Sequence, residues 1–409
     1  MSARIAAPRG TFDILPEQAA QRDLVERTAR ELLEPAGYAR IETPAFEATE
    51  LFERGVGEST DIVQKEMYSF DDGGGRSLTL RPEGTAPVCR AYVEHGMHKL
   101  PAPVRLYYLG PFFRAERPQA GRYREFWQVG AEALGSDDPA VDVELIVLLH
   151  ELLTRLGVPA RLRLASLANA QTRAAYREEL AAYLHAHEPE LAENVRSRID
   201  LNPLRAFDSD DPGTQQVMAA APRLIDRLDP DDAEHFVQVR GLLELAGVAH
   251  EVDPALVRGL DYYTRTVFEF TSETLGAQSG VGGGGRYDGL VELLGGPRTP
   301  GIGWAAGIER IILASDLTPP TALQPDVYIA HEDRRTAAFQ LLLDLRAAGL
   351  RAEMELAGRS LKGQLKHAER LGARHVAIVE PDGVRLRDRE SGAERMLSAE
   401  AVLDHVLAP

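Results

Sequence analysis

The stretch from Pro111 to Glu132 limits the possible folds of this chain more than any other. Apolar runs enter and leave it, and between them lies a loop carrying Arg114, Arg117, Pro118, Gly121, Arg122 and Arg124. That pattern predicts two strands joined by a long basic turn, with four arginines gathered around it. Such a loop suits a polyanion, because guanidinium groups donate paired bonds to phosphate oxygens. Gln128 and Glu132 lie four apart on the outgoing strand, so their side chains share a face where a small polar ligand can meet them.

The chain has 409 residues, enough for two or three domains of roughly 100 to 200 residues each. Apolar residues make up 44% of it, and no apolar run approaches the ~20 residues of a spanning helix, so a globular protein without a membrane partner is expected. The opening Met1-Ser2-Ala3-Arg4-Ile5 has no apolar stretch of the export type, and a cytoplasmic location is expected. A single cysteine, Cys89, excludes internal disulfides and multi-thiolate zinc sites, and fits a reducing compartment. The formal charge of −17 excludes a protein that coats nucleic acid indiscriminately. Any RNA contact must be local, at the arginines near 122–124 or at the basic stretch 359–367.

Residues 17–36 follow Pro16 with apolar positions at helical spacing and stop at Gly37, which predicts an amphipathic helix. Residues 41–46 predict a short strand, and Pro44 within it implies an edge or an interface. Residues 105–132 and 267–307 carry short apolar strands punctuated by glycine, the pattern of one antiparallel sheet. The interval 169–249 is helical in spacing and broken at Asn202-Pro203 and across 208–213, so it is expected to be a helical insertion in that sheet. A proline-rich linker at 317–325 marks a boundary. After it, strands at 327–330, 350–356 and 375–379 alternate with helices at 334–348 and 361–371, which predicts a small parallel or mixed sheet with crossover helices. The expected class is α+β. The expected domains are a core in two parts (1–168 and 251–316), an insertion (169–250), a linker (317–326) and an α/β domain (327–409). The tract Gly282-Gly283-Gly284-Gly285 is not a phosphate loop of the Walker type, since no Gly-Lys-Ser or Gly-Lys-Thr follows. Tyr262 and Tyr263 are expected on a strand, with rings facing opposite ways so that one enters a pocket.

Four segments together carry a resemblance: Pro111 to Glu132, Thr79-Leu80-Arg81-Pro82-Glu83-Gly84-Thr85, Arg258-Gly259-Leu260-Asp261-Tyr262-Tyr263, and Gly301 to Arg310. In order and spacing, over nearly the whole chain, they resemble the histidyl-tRNA synthetases, a family of class II aminoacyl-tRNA synthetases. The resemblance implies a class II antiparallel sheet flanked by helices, with a helical insertion and a C-terminal anticodon-binding domain. It also implies a homodimer built on the first helix and strand, and a reaction of L-histidine with ATP and Mg2+ followed by transfer to tRNA(His). No tightly bound cofactor and no protein-held metal are implied.

By the same resemblance Arg114 holds the α-phosphate and Arg310 the γ-phosphate. Arg258 sits between the substrate carboxylate and the α-phosphate as a fixed electrophile. Glu83 receives the α-ammonium group with help from Thr85 and Gln128, while Tyr263 and Glu132 contact the imidazole beside Tyr262. Glu116 would serve ATP or its magnesium. Arg117, Gln119, Arg122 and Arg124 would approach the acceptor end of the tRNA, including its extra 5′ guanosine. The glycine tract and the following Arg286-Tyr287-Asp288-Gly289 resemble the second histidine-specific signature, where glycines let the backbone approach the substrate. After residue 379 the chain departs from the usual pattern, because Glu380-Pro381-Asp382-Gly383 is a short connection to Val384-Arg385-Leu386. The alternative is a histidyl-tRNA-synthetase-like regulatory subunit of ATP phosphoribosyltransferase. Such a subunit should lack the Arg-Pro-Gln loop, Arg258 and the C-terminal domain, all of which this chain has.

Overall fold

Strands and helices are interspersed along the first three hundred residues. A computed structural model describes residues 5–57, 60–256, 260–276, 279–317 and 324–407. Its first strands are β1 (Ala39–Arg40), β2 (Phe46–Ala48), β3 (Tyr68–Asp71), β4 (Ser77–Leu80), β5 (Val104–Phe113) and β6 (Glu125–Leu134). Then follow β7 (Arg161–Ser166), β8 (His250–Val252), β9 (Thr264–Thr271), β10 (Gly280–Arg286) and β11 (Gly301–Gly307). One sheet has the order β1-β5-β6-β11-β10-β9-β7-β8. From β5 to β7 every neighbouring pair is antiparallel, and β1 and β8 join the two edges in parallel. A smaller antiparallel sheet has the order β2-β4-β3.

The basic hairpin pairs Phe113 with Glu125 and Gly110 with Gln128, leaving residues 114–124 as its loop. Helices Pro16–Leu33 and Pro139–Arg155 cover one face of the sheet. They bury Val25, Ala29 and Leu33 with Leu145, Leu149 and Leu152 against strand residues such as Val129, Phe268 and Trp304. This is a helix layer on a sheet, each element hiding its apolar stripe on the other.

The strand expected over 41–46 is corrected: of that range only Phe46 lies in a strand. β1 ends at Arg40 and β2 starts at Phe46 in the other sheet. Pro44 lies in the crossing between them, where a missing N–H costs no ladder bond. The expected insertion contains helices Ala170–Ala186, Glu193–Arg196, Pro212–Ala219 and Pro230–Leu245. Asn169, Asp211 and Asp229 cap three of them by accepting from the N–H of Thr172, Thr214 and Asp232. Its early helices pack around Tyr176, Leu180 and Leu184 in a second cluster, apart from the main core, that also takes in Ala165, Tyr263 and Val267. Helix Pro230–Leu245 instead buries Phe236, Val239 and Leu243 in the main core against helix Pro139–Arg155. Only the earlier part of that interval is therefore a separate helical cluster.

Contacts divide the chain into Met1–Thr318 and Pro319–Pro409. Of the expected linker, residues 318–323 lie outside the described residues. The second unit has β12 (Val327–His331), β13 (Ala352–Met354), β14 (His375–Glu380), β15 (Gly383–Asp388) and β16 (Glu394–Leu397) in the order β13-β12-β14-β15-β16. β12 is parallel to β13 and β14, and β15 is antiparallel to both β14 and β16. The short connection after residue 380 is a tight hairpin turn, pairing Glu380 with Gly383. Helices Arg335–Ala347, Leu361–Leu371 and Ala399–Leu407 complete the unit.

Candidate active site

A cavity of about 340 Å³ opens over the middle of the large sheet. Its wall draws on four distant stretches of chain: residues 83–85, the basic hairpin, the segment around 260–283, and residues 304–310. Arg114, Glu116, Arg122 and Arg310 stand at one end with the rings of Tyr123 and Phe126, and Glu83, Thr85 and Gln128 also line the cavity.

Arg114 leaves β5 at the start of the loop. Its Nε donates to the Pro82 carbonyl at 2.9 Å and its guanidinium lies 5.3 Å from the Phe126 ring centroid. Its Nη1 is 3.8 Å from Glu116, whose other carboxylate oxygen is 3.2 Å from Arg122. Arg310 stands on helix Ile308–Ala314 and donates to the carbonyls of Gly280 at 2.5 Å and Gly121 at 3.2 Å. Burial, and then the neighbouring Arg122, press its pKa downward. An arginine remains charged regardless, so that strain would be relieved by an arriving anion. Glu309 fixes the start of this helix. Its carboxylate accepts from the Trp127 N–H at 3.0 Å and pairs with Arg22 at 3.2 Å. The helix end is thus tied to β6 and to helix Pro16–Leu33.

Glu83 belongs to a helix terminus. It accepts from the N–H groups of Thr85 at 2.8 Å and Ala86 at 2.9 Å, at the start of helix Thr85–Glu94, where the dipole favours a negative charge. Burial nonetheless raises its pKa, against those two bonds and Arg114. The Tyr262 hydroxyl donates to it at 3.3 Å. Nearby, Gln128 Oε1 is buried and has no partner among the described residues. A carboxylate beside an unmatched amide oxygen is a site for a cationic donor, since both groups only accept.

Glu132 is fully buried. It accepts from the hydroxyls of Tyr287 at 2.6 Å, Thr85 at 2.7 Å and Tyr108 at 3.4 Å. Burial is the leading cause that pushes its carboxyl up to about 8. Thr85 and Tyr108 line the cavity and Glu132 does not, so its carboxyl lies one layer behind the wall. Tyr262 and Tyr263 both line the cavity, with ring centroids 4.8 Å apart in an edge-on pair. The expectation of rings on opposite sides of a strand is corrected: β9 starts at Thr264, and the tyrosines sit in the turn before it, where strand alternation does not apply.

Arg258 lies in 257–259, outside the described residues. Arg117 and Gln119 are exposed on the loop and do not line the cavity. Arg124 turns away from it, donating to the carbonyls of Glu116 at 3.3 Å and Arg9 at 3.2 Å. The glycine tract has two duties. Gly282 and Gly283 line the cavity, whereas a Cβ at Gly284 would stand 1.9 Å from the Gly303 carbonyl oxygen. That glycine lets β10 and β11 come together. At the end of β10, Arg286 is fully buried and pairs with Asp142 at 2.6 Å, and His235 contacts the same carboxylate at 2.9 Å.

Sequence reasoning missed Tyr108, Tyr123, Glu269 and the role of Tyr287. Tyr108 sits in an apolar strand and reads as core; only its place across from Gly130 brings its hydroxyl to Glu132. Tyr287 stands two positions after the glycine tract and one past the end of β10, and a phenol so close to that signature was a usable signal.

The profile of the family described as histidyl-tRNA synthetase matches residues 10–311, and that of the anticodon binding domain matches residues 327–408. The chain belongs to the histidyl-tRNA synthetase family. Two relatives within the family are the histidine–tRNA ligases of Moorella thermoacetica and Halorhodospira halophila. The first is 49% identical over 409 residues, covering 97% of each chain. The second is 51% identical over 383 residues, covering 92% of this chain and 90% of the relative. The crystal structure of apo S. aureus histidyl-tRNA synthetase superposes with a TM-score of 0.81 at 34% identity, covering 98% of this chain and 100% of that one. The fold is accordingly the family's helix-flanked antiparallel sheet followed by an anticodon-binding domain.

Proposed function

We infer that the protein is a histidine–tRNA ligase: it joins L-histidine to ATP, releasing diphosphate, then passes the histidyl group to the 3′ end of tRNA(His), releasing AMP. The observation that carries this reading is that Arg114 and Arg310, nearly two hundred residues apart, line one cavity with Glu83 and the unmatched oxygen of Gln128. In the first step a carboxylate oxygen of histidine attacks the α-phosphorus of ATP and the bond to diphosphate breaks. Two anions must approach, and charge spreads over the phosphoryl oxygens, so cations held in place beforehand lower the barrier. Arg114 is assigned, on the family pattern, to the α-phosphate and Arg310 to the far end of the triphosphate, and the Glu116 carboxylate links Arg114 to Arg122. Tyr123 and Phe126 offer flat faces for the purine.

Glu83 and Gln128 accept the α-ammonium group. Thr85 assists at the ammonium end and Tyr262 and Tyr263 are assigned to the imidazole side, with Glu132 behind them accepting from the hydroxyls of Thr85, Tyr108 and Tyr287. An analogue lacking ring nitrogens would leave such buried groups unmatched, which is the strong form of discrimination. Magnesium would arrive on the ATP phosphates, and Glu116 and Glu269 are acidic side chains of the same cavity that would join its shell. Arg258 is assigned, on the family pattern, to the reacting carboxylate and α-phosphate. Arg117, Gln119, Arg122 and Arg124 are assigned to the acceptor end of the tRNA, and residues 327–408 to its anticodon. A homodimer in the cytoplasm completes the reading. The regulatory-subunit alternative is disfavoured by the match to the anticodon binding domain.

The test is histidine-dependent exchange of labelled pyrophosphate into ATP, with the other amino acids as controls. Exchange with histidine alone is expected, and exchange with another amino acid alone would refute the reading. In the same assay Glu83→Gln should lower kcat/KM for histidine by about 10- to 100-fold, the size of one buried charge-assisted bond. Arg258→Ala should keep histidine binding and lose most of the turnover, as expected of a contact strongest in the transition state. Equal losses of binding and turnover would contradict that role.

A further inference from the structure

Residues 8–12 run beside the loop between β5 and β6, and the reaction just described makes no use of them. The Arg124 N–H donates to the Gly10 carbonyl at 2.8 Å, and its guanidinium to the Arg9 carbonyl at 3.2 Å. The N–H and hydroxyl of Thr11 both donate to the Pro8 carbonyl, at 3.1 and 2.9 Å, which closes a turn in the segment. Phe12 then sets its ring against Tyr123, with centroids 4.5 Å apart and planes inclined by 54°. Tyr123 is part of the cavity wall.

Gly10 shows how closely the segment presses on the loop. Its φ is +90°, and a Cβ there would stand 2.8 Å from the side chains of both Arg124 and Pro118. Any other residue would be strained by its backbone and would push the two apart.

We propose that residues 8–12 are a strap that holds the arginine loop in its ATP-binding shape, with Gly10 and Phe12 as positioning residues acting through Arg124 and Tyr123. The inference rests on the ATP-dependent reading given above. A loop that must be ordered by its ligand weakens binding by the cost of that ordering, and a strap removes the cost in advance. Glu83, Thr85 and Gln128 stand on a helix terminus and a sheet strand that the strap does not touch. The effect should therefore fall on ATP and spare histidine.

The experiment is steady-state pyrophosphate exchange with the full chain and its Gly10→Val, Phe12→Ala and Phe12→Tyr variants. Gly10→Val and Phe12→Ala should raise KM for ATP on the order of tenfold while KM for histidine stays within about twofold, and Phe12→Tyr should restore the parental value. Phe12 is partly exposed, so Phe12→Ala keeps the test open if Gly10→Val does not fold. An unchanged KM for ATP in Phe12→Ala, or equal rises in both KM values, overturns the strap alone. A parent chain without histidine-dependent exchange removes the underlying reading, and the strap with it.

Discussion

At the scale of single residues, the site is a matter of what each polar group is left to bind. Glu83 and Gln128 were legible because an acid in an Arg-Pro-Glu-Gly-Thr run and an amide on the hairpin have motif positions. Tyr108 was not legible, since a tyrosine in an apolar run looks the same whether its hydroxyl meets a carboxylate or solvent. Glu132 gives the sharpest prediction. Its carboxyl is pushed from 4.5 up to about 8, chiefly by burial, so protonation favours the folded state. That stabilisation is complete below about 4.5 and is lost as pH rises through about 8. Glu132→Gln is neutral at every pH and should remove this slope. Melting temperatures of the ligand-free protein and variant, compared between about pH 5 and about pH 9, should diverge. Parallel curves would show that Glu132 does not titrate in this way.

At the scale of elements, the hairpin, the first helix and the alternation after residue 326 were all readable from period and punctuation. The failures have physical causes. Residues 41–46 were read as one short strand, but they bridge β1 and β2, which belong to different sheets, and only pairing partners decide where a strand ends. The tyrosines at 262 and 263 follow a turn whose end is set by the register of β9 against β7 and β10. The glycine tract was read as an approach to substrate, and half of it serves sheet closure. Gly284→Ala should therefore destabilise the protein by about 3 kcal/mol, the upper range for forcing a methyl group into a packed interior. Thermal or urea unfolding measures this, and a change within about 0.5 kcal/mol, as at an unconstrained surface site, would mean that the strands can separate without cost.

At the scale of the whole molecule, a chain of net charge −17 repels phosphate over most of its surface, so the tRNA contact proposed above must be local. Because contacts separate residues 1–318 from 319–409, a chain ending at residue 317 should keep histidine-dependent pyrophosphate exchange. Its charging of tRNA should fall on the order of 100-fold through the loss of base and phosphate contacts; full charging activity would dissociate the second unit from tRNA recognition. The amino-acid order alone determined the family, the boundary near residue 317 and such cavity-lining residues as Arg114, Arg310, Glu83 and Gln128, because motif spacing and proline content are local properties. Tertiary structure decided that Glu132 lies behind the wall, that Arg124 faces the segment at 8–12, and that helix Pro230–Leu245 belongs to the main core. Those outcomes depend on which distant surfaces meet, and burial and pairing across a sheet are written in no single stretch of sequence.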